Sequence, residues 1–510
     1  MPLKQINKNI IFCIVTGLLA AFSFPKISLF FLMWAAFVPL ISVIVRSSAP
    51  VSFFYAFFAG FVFNLQANFW LVDTVHLFAE TYETSIIFCL CFNSYFAFYW
   101  GAWGFFVSLF KKYSLNNVWV FALLCACAWT LIEYVKANVL TGWPWLSIAY
   151  SQYKFLSIVQ IVEFTGIYGL SFAIMFINVL LYFGFARRKK RYFAAAAAVF
   201  FALLIFGAAR YPAFENFGSG PYKFVAAQSN VEQYKKFDNS HINELTAGLE
   251  IFADEISKIE HDVVLWSESE IINLIPNDIT SYVFADKIAA KAGGMNIIGA
   301  PSVDGDGKLY NRVFYFNGKG AYAAAHAKNH LVPFGEYIPF SKSILERMGI
   351  YDRNDDSHRG SDTVVFTDKK LYIGALICSE NFYPDITRRF ILSGAKVFTN
   401  HTNDAWFLDS SAPYKHFCAN VFRAVESRKD VIIAANTGVS GAVNAAGKII
   451  SETKVYERKL LTGTFFQNDY KTFYMLYGDV FAALCVLFIA VFAAAVIYKR
   501  CVKKSGVKKN

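Results

Sequence analysis

Charge is scarce in this sequence. Of its 510 residues only 17% are Asp, Glu, Lys or Arg, against about a quarter in an ordinary soluble domain, and that shortage excludes an enzyme solvated on all sides. The eight histidines show no HExxH or other ligand spacing, so no metal is expected and no cofactor is called for. No internal repeat is found and few ionisable residues fall inside the apolar runs. A transporter needs both at its midplane, so transport is set aside. Cysteines available for pairing are few. Cys13, Cys89, Cys91, Cys125, Cys127 and Cys485 lie in apolar runs, where Cys acts as a small hydrophobe, and Cys501 is in a basic tail. That leaves Cys378 and Cys418, whose separation in sequence leaves open whether they pair in an oxidising compartment.

Apolar residues take the place of charge: 56% of the chain is hydrophobic, with 55 Phe and a mean hydropathy of +0.39. Runs long enough to cross a ~30 Å hydrocarbon core lie near 9–24, 28–45, 52–72, 85–110, 117–135, 157–183, 193–209 and 476–497. The pattern is seven spans, a long gap and one more, about eight transmembrane helices in all, with a hinge at Pro25 that leaves a re-entrant first pair open. Residues 1–214 are read as a membrane domain, 215–470 as a globular domain, and 471–510 as a last transmembrane helix with a basic cytoplasmic tail. With the N-terminus in the cytoplasm, the inner segments carry Lys4, Lys8, Arg46, Lys111, Lys112, the RRKKR run at 187–191 and the tail. The outer ones carry only Lys26, Lys136, Lys154 and Arg210, a consistent positive-inside bias. The formal charge of +11 then sits mostly in flanks that meet anionic lipid, and nucleic-acid binding is not implied. No small-residue cleavage site follows the first run, which reads as an anchor.

In the globular part, strands are expected at 223–228, 262–266, 295–299, 310–316, 371–377, 396–399 and 431–434, and helices at 239–260, 279–292, 384–394 and 411–429. Runs such as VVLW and YIGALI are apolar on both faces, which calls for a sheet covered by helices. Layered α/β domains carry their reactive groups just past strand ends. Glu268 follows one strand, in DVVLWSES, and Cys378 follows another, in LYIGALICSEN; Lys328 lies between them in HAKNHLVPFGE. A thiol needs a base or a cation to become nucleophilic. Glu268 can take its proton, and Lys328 can stabilise the oxyanion formed on a carbonyl. Glu336 and Glu380 are further acids beside the Lys and the Cys, and Glu270 rivals Glu268. The stretch 337–349 has the composition of a lid resting on lipid or of an ordinary buried helix. Trp143 and Trp145 suit an interfacial belt, and Asn403, Asp404 and Trp406 suit a pocket floor.

At these residues the chain resembles the nitrilase, or carbon-nitrogen hydrolase, superfamily, in which Glu, Lys and Cys occur in this order. With LTGWPWL at 140–146, HAKNHLVPFGEYIPF and TNDAWF at 402–407 included, it resembles the membrane-embedded branch that N-acylates bacterial lipoproteins. The resemblance implies an αββα nitrilase-like sandwich beside a polytopic α-helical membrane domain, at the bacterial inner membrane, with the catalytic domain periplasmic and both termini cytoplasmic. It implies a phospholipid acyl donor, typically phosphatidylethanolamine, a thioester on Cys378, and transfer to the N-terminal diacylglyceryl-cysteine of apolipoproteins, with membrane lipids as surroundings. Glu268 is then the base and Lys328 the oxyanion holder. Glu336 matches the Glu of the Lys motif, Glu380 the Glu after the nucleophile, and Asn311 a substrate-side Asn. Three positions depart from the family pattern: Ser267 for Pro, Ser379 for Tyr after the nucleophile, and Phe237 for Trp. The alternative reading is a membrane-tethered nitrilase-type amidase that delivers the acyl group to water.

Overall fold

The computed structural model describes residues 3–79, 81–338 and 356–504. The chain divides into two compact units, one of Met1–His76, Glu80–Ala209 and Asp479–Asn510, the other of Leu77–Ala79 and Arg210–Gly478.

Seven helices among the described residues are long and apolar enough to cross a membrane, all in the first unit but for the end of the sixth: Gln5–Phe22, Ala49–Ala67, Tyr82–Ser114, Val118–Asn138, Val162–Arg187, Lys190–Phe214 and Val480–Cys501. The run expected at 28–45 is shorter and interrupted, a 3-10 turn Phe30–Trp34 followed by the helix Val38–Arg46. Pro39 is the cause: lacking an N–H, it suits the first turn of a helix and not its interior. Helices Ala49–Ala67 and Tyr82–Ser114 meet through small residues, since a Cβ on Gly60 would stand 2.5 Å from Trp100 and one on Gly104 2.6 Å from Ala56. Such close approach is how helices associate where lipid is the competing neighbour. Glu133 is buried inside this unit, accepting from Trp129 Nε1 (3.1 Å) and the Ile148 N–H (2.8 Å).

The second unit holds two six-stranded sheets. The strands are β1 (Ser219–Gln228), β2 (Val263–Leu265), β3 (Met295–Val303), β4 (Leu309–Phe316), β5 (Tyr322–Ala327), β6 (Val365–Asp368), β7 (Leu371–Ile377), β8 (Val397–Thr402), β9 (Val431–Ala435), β10 (Gly441–Val443), β11 (Ile449–Glu452) and β12 (Lys459–Gln467). Their orders are β12-β1-β2-β3-β4-β5 and β11-β10-β9-β8-β7-β6. Each sheet has a parallel centre, β1-β2-β3 in one and β7-β8-β9 in the other, and these strands are largely buried on both faces.

Between the sheets lies one core, with Val263, Leu265 and Ile297 from the first facing Ile373, Ala375 and Ile432 from the second. On the outer face of the first sheet, Val264, Trp266 and Ile298 pack against Leu249 and Phe252 of helix Ile242–Ile256 and against Ala285 and Ile288 of helix Ile279–Ala292. Helices Pro384–Leu392 and Ala412–Ser427 belong with the second sheet, completing an αββα sandwich. Asp278 caps helix Ile279–Ala292 by accepting from the Thr280 N–H (3.1 Å), and Gly293, at φ +79, ends it.

Five strands lie outside the sequence expectation. β5 reads YAAAHA and carries little β propensity. β6, β10 and β11 are short antiparallel additions at the edge of their sheet. β12 contains Gly463, where a Cβ would stand 2.7 Å from the Phe224 ring. Replacing Ile373 by Ala empties part of the core between the sheets. It is expected to cost about 2–5 kcal/mol, read as a lowered thermal unfolding midpoint of the purified protein; an unchanged midpoint would contradict the assigned layer.

Candidate active site

The chain leaves β2 at Leu265 and turns through Trp266 and Ser267 to Glu268. The fully buried Trp266 donates Nε1–H to Asn296 Oδ1 (3.1 Å). Its carbonyl meets His401 Nδ1 at 2.7 Å, and since a carbonyl only accepts, that nitrogen carries the proton. His401 Nε2 then accepts from Thr399 Oγ1 (2.9 Å), and burial holds this histidine neutral, with a pKa lowered to about 4. The bond ties β8 of one sheet to the Glu268 turn of the other. Gly299 on β3 lies beneath that turn, where a Cβ would stand 2.4 Å from the Ser267 carbonyl oxygen and 2.8 Å from Glu268 Cα.

Glu268 is almost fully buried and densely bonded. Its Oε1 accepts from Asn311 Nδ2 (2.7 Å) and Lys328 Nζ (3.2 Å), and its Oε2 from the Asn403 N–H (2.9 Å). The Cys378 thiol lies close enough to the same carboxylate for each to bear on the other's ionisation. Lys328, which follows β5, is 1% exposed and shared by a second acid, with Glu336 Oε1 at 3.0 Å. Asn311 on β4 is shared in the same way, its Nδ2 standing 3.0 Å from Glu336 Oε1. Glu336 Oε2 accepts the Val332 N–H at 2.8 Å, which fixes this acid to its own loop.

These contacts set the protonation states. Burial alone would raise the Glu268 carboxyl, but the Lys328 charge and the bonds from Asn311, Cys378 and Asn403 outweigh it and hold it below its ordinary value. Burial would likewise pull the Lys328 ammonium down, and the Glu268 and Glu336 charges hold it well above its usual range. Burial, followed by the Glu268 charge, pushes the Cys378 thiol well up despite the opposing Lys328. The resting site is therefore a carboxylate, an ammonium and a neutral thiol.

Cys378 sits at the sharp exit of β7 into the 3-10 turn Cys378–Phe382, with φ +53, a left-handed conformation that costs a non-glycine residue about 1–3 kcal/mol. Glu380 holds the turn. It accepts the Ile377 N–H (2.9 Å) on one oxygen and the Asn329 (2.6 Å) and His330 (3.2 Å) N–H groups on the other. Its carboxyl thus joins the residues around the nucleophile to those just after Lys328, and burial raises it to about 7. Ser379 is buried, and among the described residues its hydroxyl has no hydrogen-bond partner.

Of the residues expected from the sequence, Glu268, Lys328, Cys378, Asn311 and Glu336 come together, and Glu380 braces them. The Phe237 side chain and residues 339–349 of the expected lid lie outside what the structure describes. Glu270 is engaged elsewhere, by Ser229 Oγ (2.5 Å), the Ser267 N–H (3.2 Å) and the Ser267 hydroxyl. Ser267, where the family has Pro, thus braces the loop with a donor that Pro lacks. Cys378 and Cys418 are both free thiols. Lys236 went unnoticed in QYKKFD. It is buried, donates to the Ser269 carbonyl (2.9 Å), and is pulled below its ordinary value by burial against the opposing charges of Glu270 and Glu268. Thr402 and His416, beside the Cys378 sulfur and Asp404, were missed as well.

Two helix-covered sheets carrying Glu, Lys and Cys at their facing strand ends define a carbon-nitrogen hydrolase domain, and the carbon-nitrogen hydrolase family model matches residues 239–473. The model of the apolipoprotein N-acyltransferase N-terminal domain matches residues 16–180. The chain is 30% identical over 500 residues to the apolipoprotein N-acyltransferase of Geobacter metallireducens, covering 96% of this chain and 95% of that one. It is 28% identical to that of Rickettsia prowazekii, over 94% and 97%. A Nesterenkonia amidase of the nitrilase superfamily aligns with a TM-score of 0.38 and 16% identity, over 48% of this chain and 92% of its own. The chain belongs to the apolipoprotein N-acyltransferase family; it is a multi-pass membrane acyltransferase with a nitrilase-like domain. Delivery of the acyl group to water is not favoured, because the relatives match through the membrane part as well.

Gly299→Ala puts a methyl group into the Ser267 carbonyl and so moves Glu268. Overpacking of this kind costs about 1–3 kcal/mol, and small displacements of a reacting group cost far more in rate. Formation of the acyl-enzyme in a single turnover should fall at least ~10-fold, and a wild-type rate in the folded variant would contradict this placement.

Proposed function

We propose that the protein takes an acyl chain from a membrane phospholipid, typically the sn-1 chain of phosphatidylethanolamine, and transfers it to the α-amino group of an apolipoprotein's N-terminal diacylglyceryl-cysteine. The carrying observation is the Lys328 ammonium 3.2 Å from the buried Glu268 carboxylate, with the Cys378 thiol lying under the charge of both.

In the first half-reaction the Glu268 carboxylate takes the thiol proton and the sulfur attacks the ester carbonyl. The oxyanion forms beside Lys328, whose charge is already fixed there. The intermediate collapses to a thioester, and the departing lysophospholipid hydroxyl takes the proton back from Glu268. In the second half-reaction the neutral amine attacks the thioester, Glu268 accepts the amine proton, and collapse to the amide returns the proton to the sulfur. Asn311 holds Glu268 and Glu336 in register, and Glu336 keeps Lys328 charged. Glu380 positions both the nucleophile turn and the Lys328 loop.

Both substrates keep their chains in the bilayer, and extraction opposes them by ~0.8 kcal/mol per CH2, so chemistry at a membrane face suits them. The Lys and Arg bias supports an inner-membrane protein with both termini cytoplasmic and residues 215–470 as a periplasmic catalytic domain.

Glu268→Gln should abolish the hydroxylamine-sensitive acyl adduct while Glu270→Gln keeps it. A normal adduct in Glu268→Gln with none in Glu270→Gln would reverse the assignment of the base. The pH dependence of the two half-reactions should differ. A carboxyl whose pKa lies below its ordinary value of 4.5 stays ionised above it, so acyl-enzyme formation should hold level through neutral pH and fall only in acid. Transfer needs an unprotonated α-amine, whose pKa is about 8, so it should weaken as pH drops below that. Stopped-time assays of each half-reaction read both; loss of acylation near neutral pH would contradict an ionised Glu268.

A further inference from the structure

The Cys378 sulfur has a neighbour that the mechanism above leaves idle. Thr402, the last residue of β8, is 2% exposed. β8 runs parallel to β7 with His401 opposite Ile377, so the next residue along each strand, Thr402 and Cys378, lie side by side. Thr402 Oγ1 is 3.7 Å from Cys378 Sγ, 2.8 Å from Asp404 Oδ1 and 3.4 Å from His416 Nδ1. A hydroxyl has one proton to give, and here two acceptors, the sulfur and the Asp404 carboxylate, stand within reach of it.

Charge decides between them. Bonds to ionised acceptors are roughly twice as strong as neutral ones, so Asp404 holds the hydroxyl proton while the sulfur is a neutral thiol. Once Glu268 has taken the thiol proton, the sulfur is the anion. Asp404 can release the hydroxyl at that moment because His416 Nδ1 also bonds it, at 2.8 Å, within a pair in which both side chains are 2% exposed. Burial would lower the His416 imidazole, but the Asp404 charge and hydrogen bond raise it above its ordinary value, so the carboxylate keeps a hydrogen-bonded partner when the hydroxyl turns away.

The other charged groups facing the sulfur do not supply this donor. Glu268 after β2, Glu336 in the loop after β5 and Asp404 after β8 all oppose a thiolate, and His416 from helix Ala412–Ser427 is committed to Asp404. Lys328 favours the thiolate, but its ammonium is divided between two carboxylates and is then needed by the carbonyl oxygen. We propose that Thr402 is a two-position donor for the nucleophile, bonded to Asp404 in the resting enzyme and turned to the Cys378 sulfur when the thiolate forms or departs, with the His416–Asp404 pair as its holder.

The inference rests on Cys378 as the nucleophile, and its test reads the sulfur without any acyl donor. Full-length enzyme in detergent is alkylated with iodoacetamide across a pH series, and the Cys378 peptide is quantified by mass spectrometry. The midpoint of that profile reports ionisation. In Thr402→Val the midpoint should move to higher pH, so that alkylation at a fixed pH below it slows about tenfold, as loss of one hydrogen bond to a charged group implies; Thr402→Ser should restore the wild-type profile. Thr402→Ala carries the same test if the Val variant does not fold. A wild-type midpoint in a folded Val or Ala variant, or a Ser variant that behaves like Val, overturns the proposal. Failure of the acyl-transfer reading would look different: no acyl adduct on Cys378 in the wild type, whatever the alkylation profile.

Discussion

One buried ammonium between two carboxylates organises this molecule. Lys328 lies within 3.2 Å of Glu268 and 3.0 Å of Glu336 with almost no solvent contact. Three charges withdrawn from water in this way are costly unless each keeps its hydrogen bonds. Asn311 and the Asn403 and Val332 N–H groups supply them. Those donors come from β4 and the loop after β5 in one sheet and from the exit of β8 in the other, so the cluster can form only when both sheets are folded face to face.

The same cluster decides where the proton waits. Lys328 lowers the carboxyl that must act as base, while burial and that carboxyl raise the thiol that must be deprotonated. The proton therefore rests on sulfur, beside the carboxylate that is to take it. Glu380 adds the mechanical link, since its two oxygens hold the backbone on either side of Cys378's turn and just beyond Lys328. Removing it would loosen nucleophile and cation together.

Much of this was legible in the chain. The alternation of apolar strands with helical segments announced the layered domain, and the strand-end positions of Glu268 and Cys378 marked where a site could form. Illegible were the partners that meet only through the fold. Thr402 and His416 acquire meaning from the β7–β8 register, and Lys236 from the turn after β2; nothing in their own neighbourhoods distinguishes them from ordinary buried polar residues. The strands β5 and β12 were hidden for a local reason, an alanine run in one and Gly463 in the other. In the membrane part, hydropathy found the Phe30–Arg46 stretch but not its break, which depends on one proline that an average over a window does not see.

The central claim is that the acyl chain rests on the Cys378 sulfur before it reaches the acceptor. Purified enzyme mixed with phosphatidylethanolamine, without lipoprotein, and analysed by tandem mass spectrometry tests it directly. The account predicts one acyl chain on the Cys378 peptide, released by hydroxylamine and discharged when a diacylglyceryl-cysteine peptide is added. An acyl group found on another residue, or a thioester consumed by water as fast as by the peptide amine, would contradict it.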